Sequence, residues 1–124
     1  MASETILSED AFLVSETDSK GNIIFANDEF CRVAGYQIDE LLGKPHNIIR
    51  HKDMPKWAFQ DLWNTVKLGQ VWQGYVKNAT KDGGFYWVYA TIYPYINEKQ
   101  EQCYMSCRRK PSREDILKYD KLYK

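Results

Sequence analysis

The chain lacks several features that would place it in other classes of protein. It carries 17 Lys+Arg against 17 Asp+Glu, and this zero net charge excludes a basic domain that binds nucleic acid mainly through phosphate contacts. Its three cysteines form neither a disulfide framework nor a zinc-ligand pair. The acidic N-terminal residues have no apolar core, so we do not expect them to act as a signal peptide, and no apolar run approaches the roughly 20 residues of a membrane span. We expect a cytoplasmic segment without membrane contact, either free or part of a membrane-anchored receptor complex.

The motifs of common enzymes are also missing. The sequence has no glycine-rich phosphate loop, no nucleophile elbow and no Glu-x-x-His metal pattern. We therefore expect a protein without catalytic turnover and without a metal centre.

What the sequence does contain is enough apolar material for one folded domain. The 124 residues are 44% hydrophobic and 15% aromatic, which excludes a disordered chain. Charge is uneven: residues 1–20 hold five acids and one lysine (−4), and residues 99–124 hold eight bases and four acids (+4). These two ends are either solvated or in polar contact with each other or with a partner.

Turn and periodicity signals predict strands separated from helices. Glycines and prolines mark the boundaries, and Phe59, Leu62, Trp63 and Val66 share one helical face. The predicted strands are 12–17, 23–25, 72–80, 85–93 and 102–108, and the predicted helices are 28–34, 38–42, 55–68 and 113–122. This order predicts an α+β domain with a five-stranded antiparallel sheet, a helical flap on one face and a C-terminal linker helix. The cleft between sheet and flap is the expected ligand site.

Two stretches carry the polar candidates for that cleft. Residues 45–55 are irregular and hold Arg50, His51 and Asp53, which either face the cleft or form a surface cluster that caps the next helix. Strand 72–80 places Trp72, Gly74, Val76 and Asn78 on one face. That face suits a flat heteroaromatic ligand, although Trp72 is equally compatible with a core position and Asn78 with a strand end. Trp63 is either core or ligand contact.

Strand 85–93 is aromatic on both faces. Tyr86, Val88, Ala90 and Ile92 suit the pocket side, so Phe85, Trp87, Tyr89 and Tyr93 are expected on the outer face. Apolar groups of this size are not left in water. Either the chain's own ends cover them, or a second copy or a signalling partner does. For strand 102–108 both choices of inward face remain open.

The sequence resembles the PAS family, and most specifically the PAS domain of bacterial aerotaxis receptors. The generic pieces are Phe25-Ala26-Asn27 and Gly35-Tyr36. The more specific ones are Pro45-His46-Asn47, Arg50-His51 and Asp53-Met54-Pro55, supported by Trp72-Gln73-Gly74 and Tyr86-Trp87-Val88. The sequence departs from the pattern at Lys52, where proline is usual after Arg-His, and this removes one backbone constraint.

The resemblance implies a domain that binds FAD non-covalently, senses redox state or oxygen-linked respiration, and signals to a chemotaxis-type output. The cofactor-binding residues that it implies are Asn27, His46, Arg50, His51, Asp53, Trp63, Trp72 and Asn78. It also implies a homodimer or a chemoreceptor partner on the outer sheet face. We expect a flexible lead over residues 1–11, the sensor domain over 12–110 and the linker helix over 111–124.

Two alternatives remain within the same family. PAS clefts also hold haem, for which His46 or His51 is the candidate ligand, and some PAS domains only mediate protein contacts. Light-driven adduct formation is not expected, because Cys31 lies in an earlier helix than the reactive cysteine of the flavin photoreceptors.

Overall fold

The strands and helices follow one another in the order that the sequence predicts. The structure is a computed structural model, and it describes residues 3–123. The strands are β1 (Leu13–Thr17), β2 (Ile23–Ala26), β3 (Trp72–Ala79), β4 (Phe85–Ile96) and β5 (Gln102–Arg109). The helices are α1 (Asp28–Ala34), α2 (Ile38–Leu41), α3 (Lys56–Lys67) and α4 (Arg113–Leu122), with a 3-10 helix at His46–Ile49.

The five strands form one antiparallel sheet in the order β2-β1-β5-β4-β3. The chain returns to the centre of the sheet with β5, which pairs with β1 on one side and β4 on the other. The helices between β2 and β3 cover one face, which we call the inner face. The predicted α+β class and five-stranded sheet are therefore confirmed. Among the described residues, no helix is long and apolar enough to cross a membrane.

Local signals explain where the short helices begin and end. The Asn27 side chain accepts a hydrogen bond from the Phe30 amide at the start of α1, as helix-capping asparagines do. Gly35 ends the helix with φ of 85°, a left-handed conformation that favours glycine. The apolar face of α3 buries Leu62 and Val66 against the sheet.

Most element ends lie within one residue of the predicted boundaries, and one strand differs by more. β4 continues to Ile96 rather than ending near Tyr93, because it stays paired with β5 as far as Gln102. The irregular stretch before α3 contains a 3-10 helix. Pro55 is the residue before α3 rather than its first residue.

The two ends of the chain meet. The first described residues lie beside β4, where the Phe85 amide donates to the Ser3 carbonyl, and Leu7 is 5% exposed. Leu7 and Ala11 are thus buried against the domain while most of residues 3–11 are exposed; the flexibility expected of residues 1–11 remains a prediction, and residues 1–2 lie outside the described residues. Salt bridges Glu4–Arg113 and Glu9–Lys110 join the acidic end to the basic end, so the polar contact between the ends is confirmed.

Helix α4 covers part of the outer face of the sheet. Trp87 is 4% exposed there, and its ring stacks on that of Tyr123 at 6.1 Å. Tyr119 stacks on Tyr75 of β3, and the Tyr75 hydroxyl donates to Asp115. The chain's own C-terminal segment thus covers some of the aromatic residues on the outer face. Residue 124 of the expected linker helix lies outside the described residues.

Candidate functional site

A cavity of about 260 Å³ lies between the inner face of the sheet, the 3-10 helix and α3. Each of these elements contributes side chains, as does the turn between β1 and β2. The lining residues are Thr17, Lys20, Gly21, Pro45, His46, Asn47, Ile49, Arg50, Phe59, Leu62, Trp63, Val76, Asn78, Ala90, Ile92, Tyr104, Ser106 and Arg108. The predicted cleft between sheet and flap therefore exists.

Hydrogen-bonding groups without partners face this cavity. The Asn78 amide nitrogen and the Ser106 hydroxyl are buried and meet no hydrogen-bond partner in the described part of the chain. The Tyr86 hydroxyl is also buried, but Tyr86 is not in the cavity lining; it lies across from Asn78 in the β3–β4 register, and the Asn78 side chain interacts with its hydroxyl. Leaving a buried polar group unpaired costs about 1–3 kcal/mol. Such groups in a cavity indicate a ligand that pairs with them.

The inner end of the cavity contains a buried arginine. Arg108 is 3% exposed, and its Nη2 donates to Ser15 Oγ and to His46 Nε2, both at 2.9 Å. The guanidinium also lies 4.9 Å from the centre of the Phe30 ring. No carboxylate is among these contacts, so the positive charge of Arg108 faces the cavity uncompensated.

Burial shifts the pKa of both groups of this pair, and the Arg108 charge adds to the shift of His46. Burial, reinforced by the Arg108 charge, lowers the pKa of His46 to about 3. Burial also lowers the pKa of Arg108 to about 10. At neutral pH, Arg108 is therefore charged and His46 neutral. Because His46 Nε2 accepts from Arg108, the ring proton is on Nδ1.

Two further cations line the more exposed side of the cavity. The Arg50 guanidinium stacks 3.8 Å above the centre of the Phe59 ring, and Lys20 lies in the β1–β2 turn. None of the lining side chains given above is acidic. The cavity as a whole is therefore electropositive.

Four of the eight predicted cofactor-binding residues meet in this cavity: His46, Arg50, Trp63 and Asn78. Trp63 packs edge-on against Tyr104, with ring centres 5.3 Å apart. The predicted inner face of strand 72–80 and the pocket assignment of Ala90 and Ile92 agree with the lining.

The other four predicted residues lie outside the lining. Asn27 uses its side chain to cap α1 and to bind the backbone of β1 and Phe12. Trp72 is buried on the inner face, where its indole nitrogen donates to Asp61 of α3 at 2.9 Å. A cofactor contact by either residue remains a prediction.

His51 and Asp53 point towards the outer side of β3. Asp53 forms a salt bridge of 2.9 Å with the buried Lys77, which holds the pKa of Asp53 below its usual value. The His51 ring packs on Phe85, and its Nδ1 accepts from the Asp53 amide. These two side chains therefore fix the loop that carries His46 and Arg50 to the sheet.

Gly74, on the predicted ligand face of strand 72–80, is not in the cavity lining. A Cβ at this position would lie 2.5 Å from the Trp72 ring. The close approach that glycine permits is thus made by the chain's own tryptophan.

Sequence reasoning missed Arg108, Ser106 and Lys20. The alternation of strand 102–108 was the available signal, but its inward face was left open. The register settles it, because Arg108 lies opposite Ala90 and Ser106 opposite Ile92. Nothing in the sequence around Lys20, apart from its position in a turn, indicated that it lines the cavity.

An antiparallel sheet with a helical flap over a partly apolar cavity defines a small α+β ligand-binding domain. The PAS fold family matches residues 23–108, which is more than half of the chain. The chain belongs to the PAS family.

Similar proteins extend this assignment. The chain is 47% identical over 120 residues to the aerotaxis receptor of Escherichia coli, covering 97% of this chain and 24% of the receptor. It is 33% identical over 106 residues to the nitrogen fixation regulatory protein of Klebsiella oxytoca, covering 85% of this chain and 21% of that protein. This chain therefore spans about a quarter or less of the length of these curated relatives.

Solved structures share the fold. The light-state structure of the blue-light photoreceptor Aureochrome1 LOV matches with a TM-score of 0.73 at 21% identity, covering 90% of this chain and 87% of that one. None of Cys31, Cys103 and Cys107 is among the lining residues of the cavity.

Proposed function

We propose that this PAS domain binds FAD non-covalently in the cavity and acts as a redox or oxygen-linked sensor in aerotaxis, without catalytic turnover. The observation that carries the proposal is the set of buried, unpartnered donors, Asn78 Nδ2 and Ser106 Oγ, beside the uncompensated charge of Arg108. A flavin ring has carbonyl and ring-nitrogen acceptors on one edge, which these donors match. The similarity to an aerotaxis receptor over 97% of the chain supports the same choice.

The cavity fits the ring system of a flavin rather than a whole dinucleotide. Its volume of about 260 Å³ lies just below the range of ligand pockets, which is roughly 300–1,000 Å³. Apolar walls from Val76, Ile92 and Leu62 suit a flat aromatic body, and the polar groups lie at its inner end. The ribityl and phosphate groups would then lie at the exposed side.

The bound flavin would supply electron exchange, and with it a change in the charge of its ring. Arg108 favours negative charge at the inner end of the cavity, and Asn78 offers a donor and an acceptor. Arg108 lies on β5, which is hydrogen-bonded to both β1 and β4. A change in its hydrogen bonds therefore acts on the centre of the sheet.

The signal would pass to a partner that contacts the outer face of the sheet. A second copy or a chemoreceptor-type partner would contact the face that carries Phe85, Trp87, Tyr89 and Tyr93, together with α4, which covers Trp87. We place the domain in the cytoplasm, in a receptor complex. The haem alternative has less support, because His46 Nε2 is already engaged by Arg108.

Replacing the central donor tests the proposal. Asn78→Val keeps the strand and removes both polar groups, so flavin released from denatured protein should fall several-fold per mole relative to wild type. Loss of hydrogen bonds of this kind costs about 1 kcal/mol each, which is about fivefold in affinity. The matched control is Gln73→Val on the opposite face of β3, which should keep its flavin. Equal flavin content in all three proteins would contradict the assigned site.

A further inference from the structure

The turn between β1 and β2 is built rigidly against the cavity. Asp18 Oδ1 accepts hydrogen bonds from the Lys20 and Asn22 amides, both at 2.9 Å. The Gly21 carbonyl accepts from the His46 amide at 2.9 Å. A Cβ at Gly21 would lie 3.4 Å from the Trp63 ring. The turn is thus held on one side by its own aspartate and on the other by the 3-10 helix and α3.

This scaffold fixes the backbone of Lys20 beside the cavity. Lys20 is an exposed residue that lines the cavity. Within residues 3–123 it forms no salt bridge. Asp18 is the nearby acid, and both of its oxygens are committed to the turn. The Lys20 ammonium is therefore available to a ligand.

A second cation lines the same cavity. Arg50 is half-buried, with its guanidinium stacked on Phe59, and the Arg50 backbone forms a bridge with Asn78 of β3. Since the lining contains no acid, the charged lining groups that an anionic group at the exposed side meets are Lys20 and Arg50. Phosphate is the anion that guanidinium and ammonium groups recognise most readily in proteins.

We propose that Lys20, together with Arg50, binds the phosphate groups of the flavin and makes this site select phosphorylated flavins over riboflavin. This inference rests on the proposed function, because it concerns the same cavity. It adds a specificity-determining residue in a part of the chain that precedes the motif carrying Arg50.

A competition experiment tests the selectivity directly. Purified protein is equilibrated with equimolar FAD, FMN and riboflavin, and unbound flavin is removed. The bound flavins are released by heat and quantified separately. The ratio of phosphorylated flavin to riboflavin should fall about two- to fivefold in Lys20→Gln, as expected for one exposed ionic contact. Lys20→Arg should keep the ratio near that of wild type.

The matched control is Lys44→Gln. Lys44 is also an exposed lysine close to β2, but it is absent from the cavity lining. Its substitution should leave the ratio within twofold of wild type. Raising the salt concentration should lower the wild-type ratio and have little effect on that of Lys20→Gln, because salt screens exposed charges.

The outcomes separate the two proposals. A wild-type protein that retains no flavin would overturn the proposed function, and this inference with it. Retained flavin with the same ratio in wild type and Lys20→Gln would overturn the role of Lys20 alone. A ratio that falls equally in Lys44→Gln would show a general effect of surface charge and would also overturn it.

Discussion

Arg108 is the side chain that most clearly sets the chemistry of the cavity. Burying a guanidinium has a desolvation cost that a carboxylate usually offsets, yet Arg108 donates here to the uncharged groups of Ser15, His46 and the Ser106 carbonyl. His46 serves as an acceptor because it stays neutral. The pair is therefore stable only while His46 is unprotonated.

This dependence predicts how stability varies with pH. The folded-state pKa of His46 is about 3 and the unfolded value is about 6.5, so the unfolded chain binds more protons between these values. The contribution of His46 is fully present above about pH 6.5 and is lost as pH falls towards about 3. One such group changes the free energy of unfolding by up to about 1.4 kcal/mol per pH unit.

Chemical denaturation of wild type and His46→Gln at several pH values measures this effect. The free energy of unfolding should fall more steeply for wild type below about pH 6. His51 shifts in the same direction because of burial and the Lys77 charge, but it is present in both proteins and cancels in the difference. Parallel pH profiles would show that His46 does not titrate in this way.

At the scale of elements, α4 is held on the outer face by aromatic contacts. Tyr123 touches Trp87 and Trp57, and its hydroxyl donates to the Tyr75 carbonyl at 2.7 Å. These contacts lie at the last turn of the helix. The first turn is held separately by the Glu4–Arg113 salt bridge and by the Ser112 cap.

Removing the Tyr123 ring should therefore loosen the end of α4 and leave the cavity intact. Tyr123→Ala should weaken the docking of the helix by about 1–3 kcal/mol and speed hydrogen exchange of its amides. Flavin content should not change. Leu117→Ala is the control, since Leu117 is 58% exposed on the same helix. Equal exchange rates in wild type and Tyr123→Ala would show that the helix is held by other contacts.

The limits of sequence reasoning are clearest at this scale. Glycine and proline signals located nearly every element, and alternation assigned the inner faces of β3 and β4, because both depend on short-range geometry. The inward face of β5 depends on its register with β4, which short-range signals do not define. The orientation of Asp53 depends on Lys77, 24 residues away. The resemblance to the PAS family found the loop that carries His46 and Arg50 but not which of its side chains face the cavity.

At the scale of the whole molecule, the cavity and the outer face lie on opposite sides of one sheet. Arg108 on β5 and Asn78 on β3 contact the cavity, and Lys77, next to Asn78, pairs with Asp53 on the outer side. A change in the hydrogen bonds between the ligand and Asn78 would therefore act, through the neighbouring Lys77, on the surface that α4 covers. The chain ends also meet there, through Glu4 and Arg113.

The most direct test of the central claim is a visible absorption spectrum of the purified protein before and after addition of dithionite. We expect the bands of an oxidised flavin, which bleach on reduction and return in air, with one flavin released per chain on denaturation. A haem spectrum would contradict the choice of cofactor. A colourless protein that takes up no added FAD would contradict the account and leave a PAS domain that serves only protein contacts.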